Sequence, residues 1–299
     1  MISRAAGTAA VALAVIGAAA AAGPALAARA GAAAPPVHAI AARQAAAVTT
    51  AVYPGHPLIP ATGRARAAVA GQAPASSDVS NNWSGYAVTR RHATFRYVQA
   101  TFFVPYVNCT VSPGRPRTYS SHWVGLDGFN SKTVEQDGFE ADCRGSTPGY
   151  RAWYELYPRP ETPISGIGIK AGDSITATVS YSAPSRKYTL EVADNSTRRH
   201  FRISLRCQVK CNRSSAEVIS EAPTGVQRGN DVLLPLADYQ AVSYTNVAIA
   251  DRSARGGLAS PHWRATRILQ VSASNSSTPV AAPTPIHGNG FDSYWLRQR

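Results

Sequence analysis

The chain of 299 residues carries 30 Lys+Arg against 17 Asp+Glu, a formal charge of +13, and 44% of its residues are hydrophobic. That length and apolar content suffice for one or two domains with a sizeable core, which excludes disorder throughout. Only four of the cations are lysines (Lys132, Lys170, Lys187, Lys210) and the arginines are scattered, so the clustered cations of a nucleic-acid groove are missing; no apolar run of about 18 residues follows the N-terminus to mark a membrane-spanning helix.

In chain order, the first 27 residues read as a secretory signal. Arg4 supplies a short basic start, Ala9 to about Ala22 the apolar stretch, and Ala25-Leu26-Ala27 a small-residue cleavage site. The protein is expected to be secreted and extracellular, with no membrane attachment once the signal is cut. Residues 28–75 are Ala/Pro-rich, contain Arg29, Arg43, Arg64 and Arg66 but no acid, and offer few large side chains beyond Ile40, Tyr53, Leu58 and Ile59. Such a stretch buries too little apolar area to offset its ordering entropy, and it reads as a propeptide or leader. Its basic, acid-free composition suggests that it shields an acidic site. Without residues 1–75, 25 cations face 17 acids and the body keeps a charge of +8.

The body, residues 76–299, breaks into short runs rich in Val, Ile, Thr, Tyr and Phe: Trp83–Thr89, Tyr97–Val104, Ser121–Leu126, Tyr150–Tyr157, Ser174–Tyr181, Tyr188–Val192, His200–Leu205, Ser243–Ala250, Ala265–Ser272 and Ser293–Leu296. Ile175, Ala177, Val179 and Tyr181 alternate with Thr176, Thr178 and Ser180, the period of a strand with one buried face. Turn signals at Asp127-Gly128, Asp137-Gly138, Gly172-Asp173, Asp194-Asn195 and Gly229-Asn230 imply antiparallel hairpins. So many strands exceed one open twisted sheet, and an all-β, two-sheet antiparallel β-sandwich is predicted. Export would place Cys109, Cys143, Cys207 and Cys211 in an oxidising compartment, where three pairings are open. Cys207 and Cys211 enclose three residues, and pairing them leaves Cys109 with Cys143. A four-thiolate metal site would want C-x-x-C spacing, which is lacking.

The chain has no G-x-S-x-G elbow, H-E-x-x-H helix, P-loop or Asp-Thr/Ser-Gly, so nucleophile and metal routes lack support. His92, His122, His200, His262 and His287 are dispersed without ligand spacing and read as surface or capping residues. No metal or organic cofactor is expected. What remains is a concentration of acids, amides and aromatics: Asn81-Asn82-Trp83-Ser84-Gly85-Tyr86, Trp123-Val124-Gly125-Leu126-Asp127-Gly128, Val134-Glu135-Gln136-Asp137-Gly138, Tyr150 to Pro158, Gly172-Asp173-Ser174-Ile175 and Ala216-Glu217-Val218-Ile219-Ser220-Glu221. Residues an even number apart share a strand face, which groups Trp123 with Asp127 and Trp153 with Glu155.

In this order the motifs N-W-S-G, Phe103-Val104-Pro105, W-V-G-L-D-G, V-E-Q-D-G, Y-R-A-W-Y-E-L-Y-P, G-D-S-I and A-E-V-I-S-E resemble the glutamic peptidases, the eqolisins of peptidase family G1, from about Asn81 to Asp251. The resemblance implies a lectin- and glucanase-type sandwich, a catalytic glutamine at Gln136 and a catalytic glutamate at Glu221. Trp83, Trp123, Asp127, Tyr150, Trp153, Glu155 and Glu217 are then candidates for substrate binding or support. A carboxylate can take a proton from an attacking water and return it to the leaving nitrogen. A neighbouring neutral amide orients the water and donates to the oxyanion, without the like-charge repulsion of a carboxylate pair. Free Glu titrates near pH ~4.3, which matches an acid-acting endopeptidase whose partners are protein or peptide substrates and which is expected to be a monomer. Two features depart from the pattern: the body is basic, and Arg151 stands where fungal members commonly carry an acid. A cation there would hold Glu221 ionised and lower its pKa.

Two other classes compete. Glu135 and Glu140, read as E-x-D-x-x-E, resemble the catalytic strand of sandwich-fold glycoside hydrolases, although strict alternation puts them on opposite faces unless a bulge intervenes. A non-catalytic, carbohydrate-binding lectin-like module would use the same fold and its aromatic platforms.

Overall fold

The computed structural model describes residues 52–53, 55–61, 77–111 and 115–298; the stretch read as a signal, and most of the leader, lie outside them. All regular structure in the described residues is β. One layer runs, strand bonded to strand, through Ser77–Ser80, Arg264–Val271, Trp83–Thr89, Ser215–Glu221, Ser121–Leu126, Val134–Arg144, Thr147–Tyr157 and Thr162–Pro163. The second runs through Phe291–Trp295, Ala241–Ala250, Tyr97–Phe103, Ser174–Ser182, Lys187–Asp194 and Arg199–Leu205. Pro279–Pro283 bonds to both layers and closes one edge. These pairings are antiparallel apart from Ser77–Ser80 on Arg264–Val271. The architecture is the predicted β-sandwich, joined by a small sheet of Val52–Tyr53, Thr224–Gln227 and Asn230–Leu233.

Alternation explains how the layers stack. Ile175, Ala177 and Val179 are fully buried while Thr176, Thr178 and Ser180 are only partly covered. Opposite them, Val124, Leu126, Phe139, Ala141, Ala152 and Val218 belong to the same core, and each fully buried large aliphatic or aromatic side chain contributes about 1.5–3 kcal/mol. The two disulfides are Cys109–Cys143 and Cys207–Cys211.

Inside the first layer, the turn expected at Asp137-Gly138 and the surface position expected of His122 both fail. Asp137-Gly138 is not a turn but the middle of the eleven-residue strand Val134–Arg144. Gly138 is there because a Cβ would collide with the carbonyl oxygen of His122 and the Cα of Trp123 on the adjacent strand, and the Asp137 carboxylate accepts the Glu191 N–H at 2.6 Å from the other layer. His122 is neither a surface nor a capping residue. It is fully buried on the core side, against Phe139 and Tyr239, with Nδ1 3.1 Å from Ser220 Oγ. Burial holds its pKa down at about 3, so it is neutral in the fold.

Candidate active site

Strand alternation also builds a second face on the first layer, turned away from the core. Trp83, Trp123, Val134, Trp153, Ile219 and Ile268 form a separate buried cluster there, with the Trp83 and Trp123 rings edge to face at 5.1 Å. Register carries the polar residues onto the same face. Gln136 lies opposite Gly125 on one side and Glu155 on the other, while Glu221 ends its strand between Trp83 and Ser121.

Glu221 is held by two donors. Its Oε1 accepts Asn82 Nδ2 and its Oε2 accepts Trp123 Nε1, each at 2.9 Å. Burial pushes its carboxyl well above the usual carboxylate range, the bonds from Asn82 and Trp123 pull it back, and the nearby Glu155 charge adds to the rise. Gln136 is oriented by its strand neighbour: Nε2 donates to Glu155 Oε2 at 2.7 Å, and Oε1 has no partner. An unpartnered buried acceptor is costly unless something uses it.

The backbone of residues 55–61 lies on this face. Gly55 O accepts from Gln136 Nε2. On the next residue, His56 O accepts Trp83 Nε1 at 2.9 Å and Asn82 Nδ2 at 3.3 Å, the amide that also donates to Glu221 Oε1. The Gly55–His56 backbone therefore touches Gln136 and the Asn82 amide that holds Glu221, although 85 positions separate Gln136 and Glu221 in the chain.

The remaining candidates divide. Trp83, Trp123, Trp153 and Glu155 join the two residues on this face; Trp153 is fully buried with Nε1 unpartnered. Glu217 is fully buried two residues short of Ile219 on the same strand, close to the Asp127 and Glu135 charges, and burial raises its pKa well above the usual range. Asp127 does not share a strand face with Trp123. The strand ends at Leu126, Asp127 takes a left-handed φ of 72°, and its carboxylate accepts the N–H groups of Arg213 and Ser214. It organises the entry to the Glu221 strand. Tyr150 is a correction: it packs against the main core, and its hydroxyl accepts the Val107 N–H, because it has the parity of Ala152 rather than that of Trp153.

Arg151 does not act on Glu221. It pairs with Glu140 and Glu161, farther along the face that carries Trp153 and Glu155, and the Glu221 carboxyl is raised rather than lowered. Glu135 and Glu140 fall on opposite faces, Glu135 beside the Tyr188 and Thr133 hydroxyls and Glu140 beside Arg151. No bulge interrupts their strand, whose register on both neighbours is continuous, so they cannot flank one glycosidic bond. Among the described residues, Glu135, Cys207 and Cys211 come close enough together for a metal ion, but the two sulfurs are joined in a disulfide and offer no thiolate. Asn82, the first residue of the N-W-S-G motif, carries no signal of this role in the sequence; the strand start puts it and Trp83 beside Glu221.

Residues 81–288 match the model of the Peptidase A4 family. The chain is 30% identical over 176 residues to scytalidopepsin B of Scytalidium lignicola, covering 57% of this chain and 64% of that protein. It is 30% identical over 131 residues to aspergillopepsin-2 of Aspergillus niger, covering 42% and 44%. The aligned parts thus span less than two thirds of either relative. Among solved structures, scytalido-glutamic peptidase with a transition state analog inhibitor superposes with a TM-score of 0.61 at 23% identity, over 72% of this chain and 98% of that one. Aspergilloglutamic peptidase from Aspergillus niger gives 0.51 at 21% identity, over 60% and 99%. At such identities the superpositions establish the sandwich fold alone.

Proposed function

Since the chain belongs to the Peptidase A4 family, the glutamic peptidases, we propose that it is a secreted, acid-acting endopeptidase in which Glu221 and Gln136 hydrolyse peptide bonds with water. Glu221 takes the proton of the attacking water and delivers it to the leaving nitrogen. Gln136 Nε2 donates to the carbonyl oxygen as charge develops there, and its unpartnered Oε1 accepts from the water. Glu155 fixes which end of the amide faces the carbonyl. Asn82 and Trp123 pull the Glu221 carboxyl back toward the ionised form that a base requires, against the burial that raises it.

The observation that carries the reading is that register sets Gln136 and Glu221 on one face, Glu221 held by Asn82 and Trp123 and Gln136 Nε2 donating to a backbone carbonyl, that of Gly55. A carbonyl oxygen at Gln136 Nε2 is the atom on which peptide hydrolysis develops negative charge. The leader serves in the precursor as a cover for the acidic site, since Gly55 lies on Gln136 and His56 O on the Asn82 amide that holds Glu221.

Hydrolysis of a denatured protein substrate across pH 3–8 tests the proposal, with soluble β-glucan and insoluble polysaccharide as parallel substrates. Wild type is expected to cut the protein with an acidic optimum, Glu221→Gln to lose the activity, and Glu140→Gln to keep it. Glucan cleavage lost with Glu140→Gln would sink the reading.

A further inference from the structure

The face that carries Gln136 and Glu221 continues past Trp153, and the next residue of that parity on the strand is Arg151. Register runs in one row from Glu221 to Ser121, from Ser121 to Glu140 and from Glu140 to Arg151. At about 4.8 Å between bonded strands, the Arg151 backbone lies about 14 Å from that of Glu221. Gln136 and Glu155 form a parallel row farther along the same strands, about 13 Å from Glu140 and Arg151. Between the two rows Trp123, Gly138 and Trp153 stand side by side, and the glycine puts no side chain between the two indoles.

Arg151 reaches over two buried acids. Its Nε donates to Glu140 and its Nη2 to Glu161, which fixes the plane of the guanidinium and leaves Nη1 for an acceptor from outside. The Glu140 and Glu161 side chains are 1% and 8% exposed against 42% for Arg151, so an arriving molecule meets the cation and not the acids. The charges that act on Arg151 are those of Glu140 and Asp142 on the neighbouring strand and of Glu161 beyond its own. Burial raises all three carboxyls, and it raises Glu155 on the same face as well. One oxygen each of Glu140 and Glu161 is buried without a partner, which favours the protonated form. In acid these carboxyls hold their protons while the guanidinium stays charged, and the group turns a positive charge to the cleft.

We propose that Arg151 is a specificity-determining residue of the cleft, which takes an acidic side chain of the substrate near the bond that is cut. The inference rests on the peptidase reading above and names a side chain that the site selects. An extended peptide advances about 3.3 Å per residue, so the 14 Å from Glu221 is covered within about four residues. There a substrate carboxylate accepts from Nη1 in a charge-assisted hydrogen bond. An amide of the same shape forgoes the charge, and a lysine meets a like one. A substrate Asp ionises near pH ~3.9, below the raised carboxyls around Arg151, so from about pH 4 to 6 the ligand is charged and the acids under the guanidinium are not. At higher pH Glu140, Asp142 and Glu161 ionise against one cation, and the preference fades.

The test offers the active protein a set of peptides that share one cleavable sequence and carry Asp, Asn or Lys in turn at each of about four positions on either side of the cut. Cleavage is read as kcat/KM, and the bond cut is identified by mass. At pH 5 the Asp peptide is expected to be cut about tenfold or more faster than the Asn peptide at one position, mainly through a lower KM, with Lys slowest. At pH 3, where the substrate carboxyl is protonated, the Asp to Asn ratio should fall to about 1. Arg151→Gln should bring the pH 5 ratio at that position to about 1, and Arg151→Lys, which keeps the charge without the planar fork, should retain part of it. The comparison of pH 3 with pH 5 is made on the wild type and does not depend on the folding of a variant. Cleavage with no position that favours Asp at pH 5 overturns the inference and leaves the peptidase reading standing. So does an Asp preference equal at the two pH values, or one undiminished in Arg151→Gln. No cleavage of any peptide or of denatured protein overturns the peptidase reading itself.

Discussion

Replacing His122 by Phe isolates the effect of one buried base on acid stability. The imidazole is fully buried and held neutral, its pKa lowered from 6.5 to about 3. A folded pKa below the unfolded one gives stability that is complete above the unfolded value and is lost as pH falls toward the folded value. At pH 4 the unfolded chain takes up a proton that the folded one refuses, a penalty of about 3 kcal/mol, against a few tenths at pH 7 (roughly 1.4 kcal/mol per unit). Phe removes the titration and the neutral hydrogen bonding of Nδ1, to Ser220 Oγ at 3.1 Å and more distantly to the Tyr244 hydroxyl at 3.4 Å, worth about 1 kcal/mol. Ser220 remains bonded to the Tyr244 hydroxyl at 2.9 Å, so no orphan is created. The variant should therefore be less stable than its parent by about 1 kcal/mol at pH 7 and more stable by about 2 kcal/mol at pH 4. Urea unfolding followed by tryptophan fluorescence measures both, in a Glu221→Gln background that removes the proposed peptidase activity. Equal differences at the two pH values would refute the reasoning, because only a pKa difference between folded and unfolded chains makes the effect of the substitution depend on pH.

Buried carboxyls act in the opposite direction. Asp137, Glu135 and Glu217 are all raised well above their usual values by burial, so their contribution is complete below about pH 4 and is lost as pH rises through the raised values. Asp137→Asn can still accept the Glu191 N–H and should flatten the fall in stability between pH 5 and 8, read as unfolding midpoint against pH. Trp123→Phe removes the donor to Glu221 Oε2, which raises the carboxyl pKa. The acidic limb of the peptidase pH profile should move to higher pH, and kcat should fall about tenfold or more for the loss of one hydrogen bond to a charged group. Opening the Cys109–Cys143 bridge, with 34 positions between its ends, should cost about 4 kcal/mol by loop entropy, measurable as a lowered urea midpoint in a Cys109→Ala/Cys143→Ala double variant.

The sandwich was legible because its strands bury one face and leave the other half covered. Ile175, Ala177 and Val179 against Thr176, Thr178 and Ser180 announce both the strand and its orientation. The site was legible through motif order, which brought Gln136 and Glu221 forward together even though each alone is an ordinary polar residue. Parity then worked for Trp153 and Glu155 and failed for Asp127, because the strand stops one residue earlier and the backbone turns left-handed. Asp137-Gly138 has the composition of a hairpin turn. Only the neighbouring strand, pressing the His122 carbonyl and Trp123 against Gly138, explains a glycine in mid-strand. The burial of His122 was hidden for the same reason: what covers it comes from Phe139, Tyr239 and Tyr244, distant along the chain. The seating of residues 55–61 depends on main-chain bonds to Asn82, Trp83 and Gln136, and a composition argument counts only side-chain area.

Whether Glu221 and Gln136 act on one peptide group is tested most directly by the kcat of Gln136→Ala, Glu221→Gln and the double variant on the same protein substrate. Two groups serving one transition state lose their effect as a unit. The account predicts that each single change removes nearly all of the rate and that the double variant is no slower than the slower single one. Losses that multiply, or a Glu221→Gln enzyme with undiminished kcat, would contradict it.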